Sequence, residues 1–448
     1  MDNNIIYVYV VSLGCSKNFV DTEVMAAALL THGIGITDNP DEASVFLINT
    51  CAFILPAREE AEDNIDTALN WKAGYPDGKI IVTGCLTQWD KKKKYFKQYP
   101  EVDLWLGIDE LTLLPDKIAE LYSDKKQIQK SILHKNPNYL YNDKTPRLQL
   151  TPAHYASIKI ADGCDNRCAY CSIPSIRGRL RSRRQESILA EAKSLLSNGV
   201  KELIIIAQDI TAFGRDNKSS ENLSSLLLEL DKIEGNYWIR LHYLYPEGIT
   251  DELISILADS EHILPYLDIP IQHISDTVLK RMNRRTTSTQ IKERLLKLRK
   301  NIPSLVVRTT FLTGFPGESQ DEFNELKNFV SEWRFERIGV FPFYPEEGTK
   351  AVELSNQIPF DTAEKRSEEL YKIHARNSQE FNSKLEGREF DAIIDSSEPG
   401  EIIGRTYMDS PDIDNTVVIE SNKRVEEGKI IKIRITGSSE FELTGIEI

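Results

Sequence analysis

Apolar positions along the chain form two successive series of short β-rich runs alternating with helical patterns, then a third stretch of short runs divided by turn residues. In the first series Ile5–Leu13, Ser44–Asn49 and Lys79–Thr83 predict strands, while Val20–Thr31 and Ala57–Lys72 carry the three-to-four-residue spacing of helices. Alternation of this kind implies a parallel α/β domain over residues 1–130. Residues 123–150 hold several Pro and Asn, lack periodicity and read as a linker.

A second series predicts strands at Tyr155–Ala161, Glu202–Gln208, Tyr237–Tyr243, Tyr266–Ile271, Leu305–Leu312 and Arg337–Phe343. Helical patterns at Ile188–Asn198, Leu223–Ile233, Thr250–Ala258, Ile291–Lys300 and Asp321–Trp333 lie between them. Six strands with intervening helices imply a parallel sheet curved into a partial (β/α)6 barrel over 150–383, with right-handed crossovers and a functional end at the strand carboxyl termini. A helix from about Thr362 to Ser383, with Gly387 as its C-cap, closes this part. In 384–448 the short runs Glu389–Ile394, Glu401–Tyr407, Thr416–Ile419 and Lys429–Ile435 suggest a small five-stranded β-barrel of oligonucleotide-binding type.

Composition narrows the class. With 448 residues, 40% hydrophobic and 28% charged, the chain reads as a soluble protein of two or three domains. Its longest apolar stretches, such as Ile5–Leu13 and Leu203–Ala207, are strand-sized, so no membrane partner is expected. The start MDNNIIYVYVVSLGC lacks the basic opening and cleavage site of a signal peptide, and a cytoplasmic location follows. In that reducing compartment six cysteines are better ligands or catalysts than bridges. A net charge of −14 makes nucleic acid an unlikely primary substrate and suits a basic protein partner. Residues 381–448 alone hold eight Lys and Arg against fifteen Asp and Glu, a net charge of −7. The basic run Lys91–Lys94 reads as a solvated helix face.

The cysteines carry the candidate chemistry. Cys164, Cys168 and Cys171 form a C-x3-C-x2-C run after the first strand of the second series. Soft thiolates at this spacing suit an iron–sulfur cluster, and three ligands for a cubane leave one iron open. A zinc site with His154 as fourth ligand is the alternative, and disulfides within so tight a loop would be strained. Cys15, Cys51 and Cys85 each end a strand of the first series, in SLGC, INTC and VTGC. Convergence at the carboxyl edge of a parallel sheet would make them a second three-cysteine metal site. Three buried small hydrophobes remain the plainer reading.

Other strand ends of the second series are polar or glycine-rich: AQDITAFG with Gln208 and Asp209, LHYLYPEG, IPIQHISD, the turn Gly314–Glu318, and VFPFYPEEGT with Phe341. Glycines in Gly314–Glu318 would let a ligand approach the backbone, and Glu318 would accept from an amine or hydroxyl. His242 and His273 fall near strand ends without an assigned role. Arg177, Arg179, Arg181, Arg183 and Arg184 read equally as a substrate- or cofactor-binding segment or as a solvated one.

The cysteine loop, with the aromatic Tyr170 before its last cysteine, resembles the radical S-adenosylmethionine (SAM) superfamily. Together with three N-terminal cysteines and a terminal barrel similar to a TRAM domain, the whole chain resembles a methylthiotransferase. Of that family's two main classes, Gly-Cys-Asp at Asp165 and the stretch SIPSIRG resemble the one that modifies an aspartate of ribosomal protein S12. The class acting on tRNA adenosine is the second reading, and an RNA-binding or scaffold protein with a structural metal and no turnover is the third.

The resemblance implies two [4Fe-4S] clusters. Cys164, Cys168 and Cys171 would hold the one that binds and cleaves SAM. Cys15, Cys51 and Cys85 would hold the one that supplies or carries sulfur. An electron donor and a sulfur source are implied as partners, and the product would be a β-methylthioaspartyl residue. For the SAM pocket it implies Tyr170 and Phe341 beside the adenine, the Gly314–Glu318 turn near the ribose, Gln208 near the methionine amine and Arg308 for the carboxylate. At strand two, Ala207-Gln208-Asp209 stands where many superfamily members have Gly-Gly-Glu. The terminal barrel would recognise the substrate.

Overall fold

The computed structural model describes residues 5–123, 129–134, 136–217, 220–398, 401–421 and 424–448. The chain forms two compact units, one of residues 1–150, 161–166 and 171–188, the other of 151–160, 167–170 and 189–448.

In the first unit six parallel strands, β1 (Tyr7–Ser12), β2 (Gly35–Thr37), β3 (Val45–Thr50), β4 (Lys79–Gly84), β5 (Leu104–Leu106) and β6 (Ser131–Ile132), lie in the order β2-β1-β3-β4-β5-β6. Every residue of β3 is buried, as a central strand covered on both faces requires. On one face Val45 and Leu47 pack with Met25 and Leu29 of α1 (Ser16–Thr31). On the other, Phe46 and Ile48 pack with Ala61, Ile65 and Ala68 of α2 (Leu55–Gly74). The three strands expected from the apolar runs are present, and the short β2, β5 and β6 are additional.

The predicted linker needs correction. Besides contributing β6, it is tied down where Arg147 pairs with Glu23 at 2.6 Å and the Leu150 N–H donates to the same carboxylate at 2.8 Å. Asp109 accepts from the N–H groups of Asn138 and Tyr139. Residues 124–128 and 135 of that stretch lie outside the described residues. Lys91–Lys94, expected on a helix face, is exposed, but Lys91–Lys93 precede a short helix that begins only at Lys94, where Asp90 accepts from the Lys94 and Tyr95 N–H groups.

The second unit carries β7 (Tyr155–Lys159), β8 (Glu202–Ile206), β9 (Trp238–Leu241), β10 (Ile263–Asp268), β11 (Val306–Thr313) and β12 (Arg337–Pro342), all parallel and in sequence order across the sheet. In β11, Val307, Thr309, Phe311 and Thr313 are buried while Arg308, Thr310 and Leu312 are partly open, so the two faces differ. The closing helix runs Phe360–Ser383, and its C-cap is Lys384 rather than Gly387.

Five strands, β13 (Glu389–Glu398), β14 (Glu401–Thr406), β15 (Thr416–Glu420), β16 (Ile430–Ser438) and β17 (Glu442–Glu447), close the terminal barrel in the order β13-β14-β15-β17-β16. Residues 405–414 attach it to side chains of the six-stranded sheet. Arg405 and Arg240 share the Glu202 carboxylate, Arg337 pairs with Asp409, and Tyr155, Tyr266 and His242 bond to Asp412, Asp414 and Ser410. Among the described residues no helix is long and apolar enough to cross a membrane.

Candidate functional site

The segments that follow β1, β3 and β4 place Cys15, Cys51 and Cys85 at one edge of the first sheet, Cys85 as the first residue of the helix Cys85–Trp89. Parallel register brings Ser12 beside Asn49 and Thr50 beside Gly84, so the three strands end level. Asn18, one turn into α1, ties these ends together: its Nδ2 donates to the Leu13 carbonyl at 2.8 Å and the Thr50 carbonyl at 3.3 Å. Thr50 Oγ1 donates to the Thr83 carbonyl and accepts from the Leu86 N–H at 3.2 Å. Gly14, at φ +89, lies so close to Cys51 that a Cβ there would stand 2.7 Å from the Cys51 Cβ and 2.9 Å from its Sγ. The glycine clears the space the thiol occupies.

Cys51 and Cys85 respond to the neighbouring thiols, and Cys15 to the neighbouring cations. Burial pushes the Cys85 thiol up to about 12, with the Cys51 and Cys15 charges adding to the rise and Arg177 opposing it. Cys51 is raised by burial and by Cys15. At Cys15 the surrounding protein disfavours the thiolate, but the Lys17 and Arg177 charges and the N–H groups of Asn18 and Lys17 reverse this and hold its pKa below the ordinary thiol value. As the side chains are turned, no three His, Cys, Asp or Glu among the described residues stand in a metal-holding group. The fit to a cluster therefore rests on the donor set: three soft thiols on level strand ends, with a cradle that any Cβ at residue 14 would fill.

In the cysteine loop Cys164 and Cys168 are buried and Cys171 is half-buried. Within the first unit Gly163 is at φ +77 and packs against the Arg179 carbonyl, and the Cys164 N–H donates to the Gly178 carbonyl at 3.1 Å. Within the second unit Cys168 Sγ lies 3.7 Å from the Tyr245 hydroxyl and 4.0 Å from Arg284 Nη1, and the Arg284 guanidinium stacks 4.2 Å from the Tyr245 ring centroid. Its Nη2 donates to the Pro270 carbonyl at 2.9 Å. Sequence reasoning missed both residues; LHYLYPEG had marked the strand end, but nothing local distinguishes Arg284 within RMNRRTT. Tyr243 and Gln272 also follow strand ends at φ +65 and +73, a conformation that costs about 1–3 kcal/mol per non-glycine residue and gathers at functional ends.

Tyr170 packs edge-to-face on Phe315 at 6.5 Å, and Phe341 is 47% exposed on the penultimate residue of β12. Gln208 follows β8 and is partly exposed. Gly314 turns at φ +71 against Ala363. Two further candidates have partners within the protein. Glu318 Oε2 accepts from the Gly314 and Phe315 N–H groups at 2.8 and 3.2 Å, and Oε1 from Arg366 at 2.8 Å. Burial pushes its carboxyl up to about 7 against the pull of Arg366. Arg308 is committed too, to Asp268 at 3.1 Å and Asp414 at 3.3 Å, five residues before the end of its strand.

His154 is likewise engaged, bonded to Asp395 at 2.8 Å, which removes the proposed fourth zinc ligand. The arginine segment divides. Arg177 and Arg183 are buried, the latter stacked on Tyr141 at 4.2 Å, whereas Arg179 is exposed.

Comparison with known proteins matches three segments of the chain. Residues 158–330 match the radical SAM superfamily, 7–107 an uncharacterised protein family, UPF0004, and 387–448 the TRAM domain. The superfamily match implies SAM and a [4Fe-4S] cluster. The chain is 44% identical to the ribosomal protein uS12 methylthiotransferase RimO of Syntrophus aciditrophicus, over 97% of each chain. It is 43% identical to that of Caldanaerobacter subterraneus, over 97% of this chain and 98% of the relative. In fold it is similar to the radical SAM methyltransferase TsrM of Kitasatospora setae, with a TM-score of 0.56 at 12% identity, covering 88% of this chain and 79% of the other. For the cobalamin-dependent radical SAM enzyme OxsB the TM-score is 0.53 at 13% identity, covering 82% and 56%.

Proposed function

The chain belongs to the ribosomal protein uS12 methylthiotransferase RimO family, a radical SAM family, and on that premise we propose that it adds a methylthio group to the β-carbon of an aspartate in uS12. An unactivated C–H bond is beyond any side-chain acid or base. A reduced [4Fe-4S] cluster with SAM bound supplies the one-electron chemistry that breaks it.

In this reading Cys164, Cys168 and Cys171 hold the SAM-cleaving cluster, and Cys15, Cys51 and Cys85 hold a second that carries sulfur. Tyr245 and Arg284 crowd Cys168 and exclude water from its sulfur. Tyr170 and Phe341 offer aromatic faces to the adenine, and Gln208 and the Gly314 turn offer polar groups to the rest of SAM. Glu318 holds that turn closed from within. We assign the second cluster to residues 1–130, SAM to 150–383 and recognition of the basic substrate to 384–448. An electron donor, a sulfur source and a cytoplasmic setting complete the reading.

The observation that carries it is the pairing of a C-x3-C-x2-C loop with three cysteines on level strand ends. Anaerobic incubation of the reconstituted, reduced protein with SAM and uS12, followed by intact-mass spectrometry, should add one SCH3 group in place of hydrogen on an aspartate. Unmodified uS12 beside methylthiolated tRNA would overturn it.

A further inference from the structure

Arg177 lies six residues beyond Cys171, in a segment whose charges look solvent-directed in the sequence, yet it is 2% exposed. Its Nη1 donates to Asp21 at 2.5 Å and Asp162 at 3.2 Å. Its Nη2 donates to Asn18 Oδ1 at 2.9 Å and to Cys85 Sγ at 3.4 Å. All five residues belong to the first unit.

This geometry is not that of a plain structural ion pair. A guanidinium pairs best with carboxylate through two parallel N–H bonds to one partner. Here the fork is divided. One nitrogen serves two buried carboxylates, which offset the cost of burying the cation, and the other is directed at a sulfur and at the amide that ties the strand ends together. Removing the cation would leave Asp21 and Asp162, both 3% exposed, beside the thiols without their shared counter-charge.

We propose that Arg177 is a positioning residue for the cluster assigned to Cys15, Cys51 and Cys85, donating to the Cys85 sulfur and setting that cluster's reduction potential, with Asp21 as its counterweight. The inference rests on the reading of that triad as cluster ligands. Hydrogen bonds to ligand sulfur and nearby positive charge favour the more negative, reduced form and raise the potential; a nearby carboxylate lowers it. Because Arg177 belongs to the segment that carries Cys171, the loop of one proposed cluster supplies the charge that tunes the other.

The test uses the full chain with Cys164, Cys168 and Cys171 replaced by Ala, reconstituted anaerobically and titrated redox-potentiometrically with paramagnetic resonance detection. Arg177→Gln should lower the midpoint by about 59 mV or more, tenfold in a one-electron equilibrium. Asp21→Asn, whose amide oxygen still accepts from the guanidinium, should raise it, and Arg177→Lys should fall between the parent and Arg177→Gln. A purely structural arginine predicts lower stability in both variants and no opposite shifts. An unchanged midpoint, or shifts of the same sign, overturns the proposal. If Arg177→Gln does not fold, Asp21→Asn decides alone: a raised midpoint supports the proposal and an unchanged one overturns it. Absence of iron from the parent instead overturns the ligand assignment, and this inference with it.

Discussion

Asp409 of the terminal barrel is buried against Arg337, the first residue of β12, with Oδ1 2.7 Å from Nε. Burial raises the Asp409 pKa and the Arg337 charge opposes the rise. Removing one member of a buried pair strands the other, at a cost of about 3–5 kcal/mol, whereas truncating an exposed acid changes stability by about 0.5 kcal/mol or less. Asp409→Ala should therefore lower thermal stability sharply and Glu442→Ala should not, as differential scanning fluorimetry would read.

The acidity of the barrel is consequently of two kinds. Asp395, Asp409 and Asp414 are consumed internally by His154, Arg405, Arg337 and Arg308. Glu426 and Glu427 are exposed and available to a basic partner. Charge reversal of those two should slow association with uS12 severalfold at low ionic strength, with the difference shrinking as salt is raised. Stopped-flow association rates check this, and a salt-independent defect would contradict it.

Gly14 and Gly33 both have positive φ, +89 and +74, but only at Gly14 would an added Cβ meet other atoms within 4 Å. Gly33→Ala should cost about 1 kcal/mol from backbone conformation alone. Gly14→Ala adds a collision with Cys51 and should also lower the iron bound by the N-terminal triad. Iron per chain and melting temperature, measured together, separate the two effects.

His273 and His374 are held neutral, with burial pushing their pKa values down to about 3 and about 4. The unfolded chain takes up protons at these sites below about pH 6.5, and the folded chain does not. Their contribution to stability is thus full above that pH and lost as the pH falls. Each should account for about 1.4 kcal/mol between pH 7.5 and 5.5. Replacing either by Gln should flatten the acid limb of a pH series of urea unfolding curves.

Much of this was legible in the residues because apolar runs of five or more mark strands, and Gly14 and Gly84 before Cys15 and Cys85 mark two of their ends. The short β2, β5 and β6 escaped because two or three residues carry no period. Arg177 escaped for a different reason: a buried arginine and a solvated one look alike when the partner, Asp21, lies 156 residues away. The same limit holds at Glu318 and Arg308, where nearness to a strand's functional end does not reveal that Arg366 or Asp414 bonds to the group. Cys15, Cys51 and Cys85 stand out in the sequence because each follows a strand within three residues.

The central claim is that the chain carries two cluster sites rather than one. Iron counted per chain after anaerobic reconstitution tests it most directly, on the parent and on variants with either cysteine triad replaced by Ala. Two four-iron cubanes predict about eight irons in the parent and about four in each variant. About four in the parent, unchanged when Cys15, Cys51 and Cys85 are replaced, would contradict it.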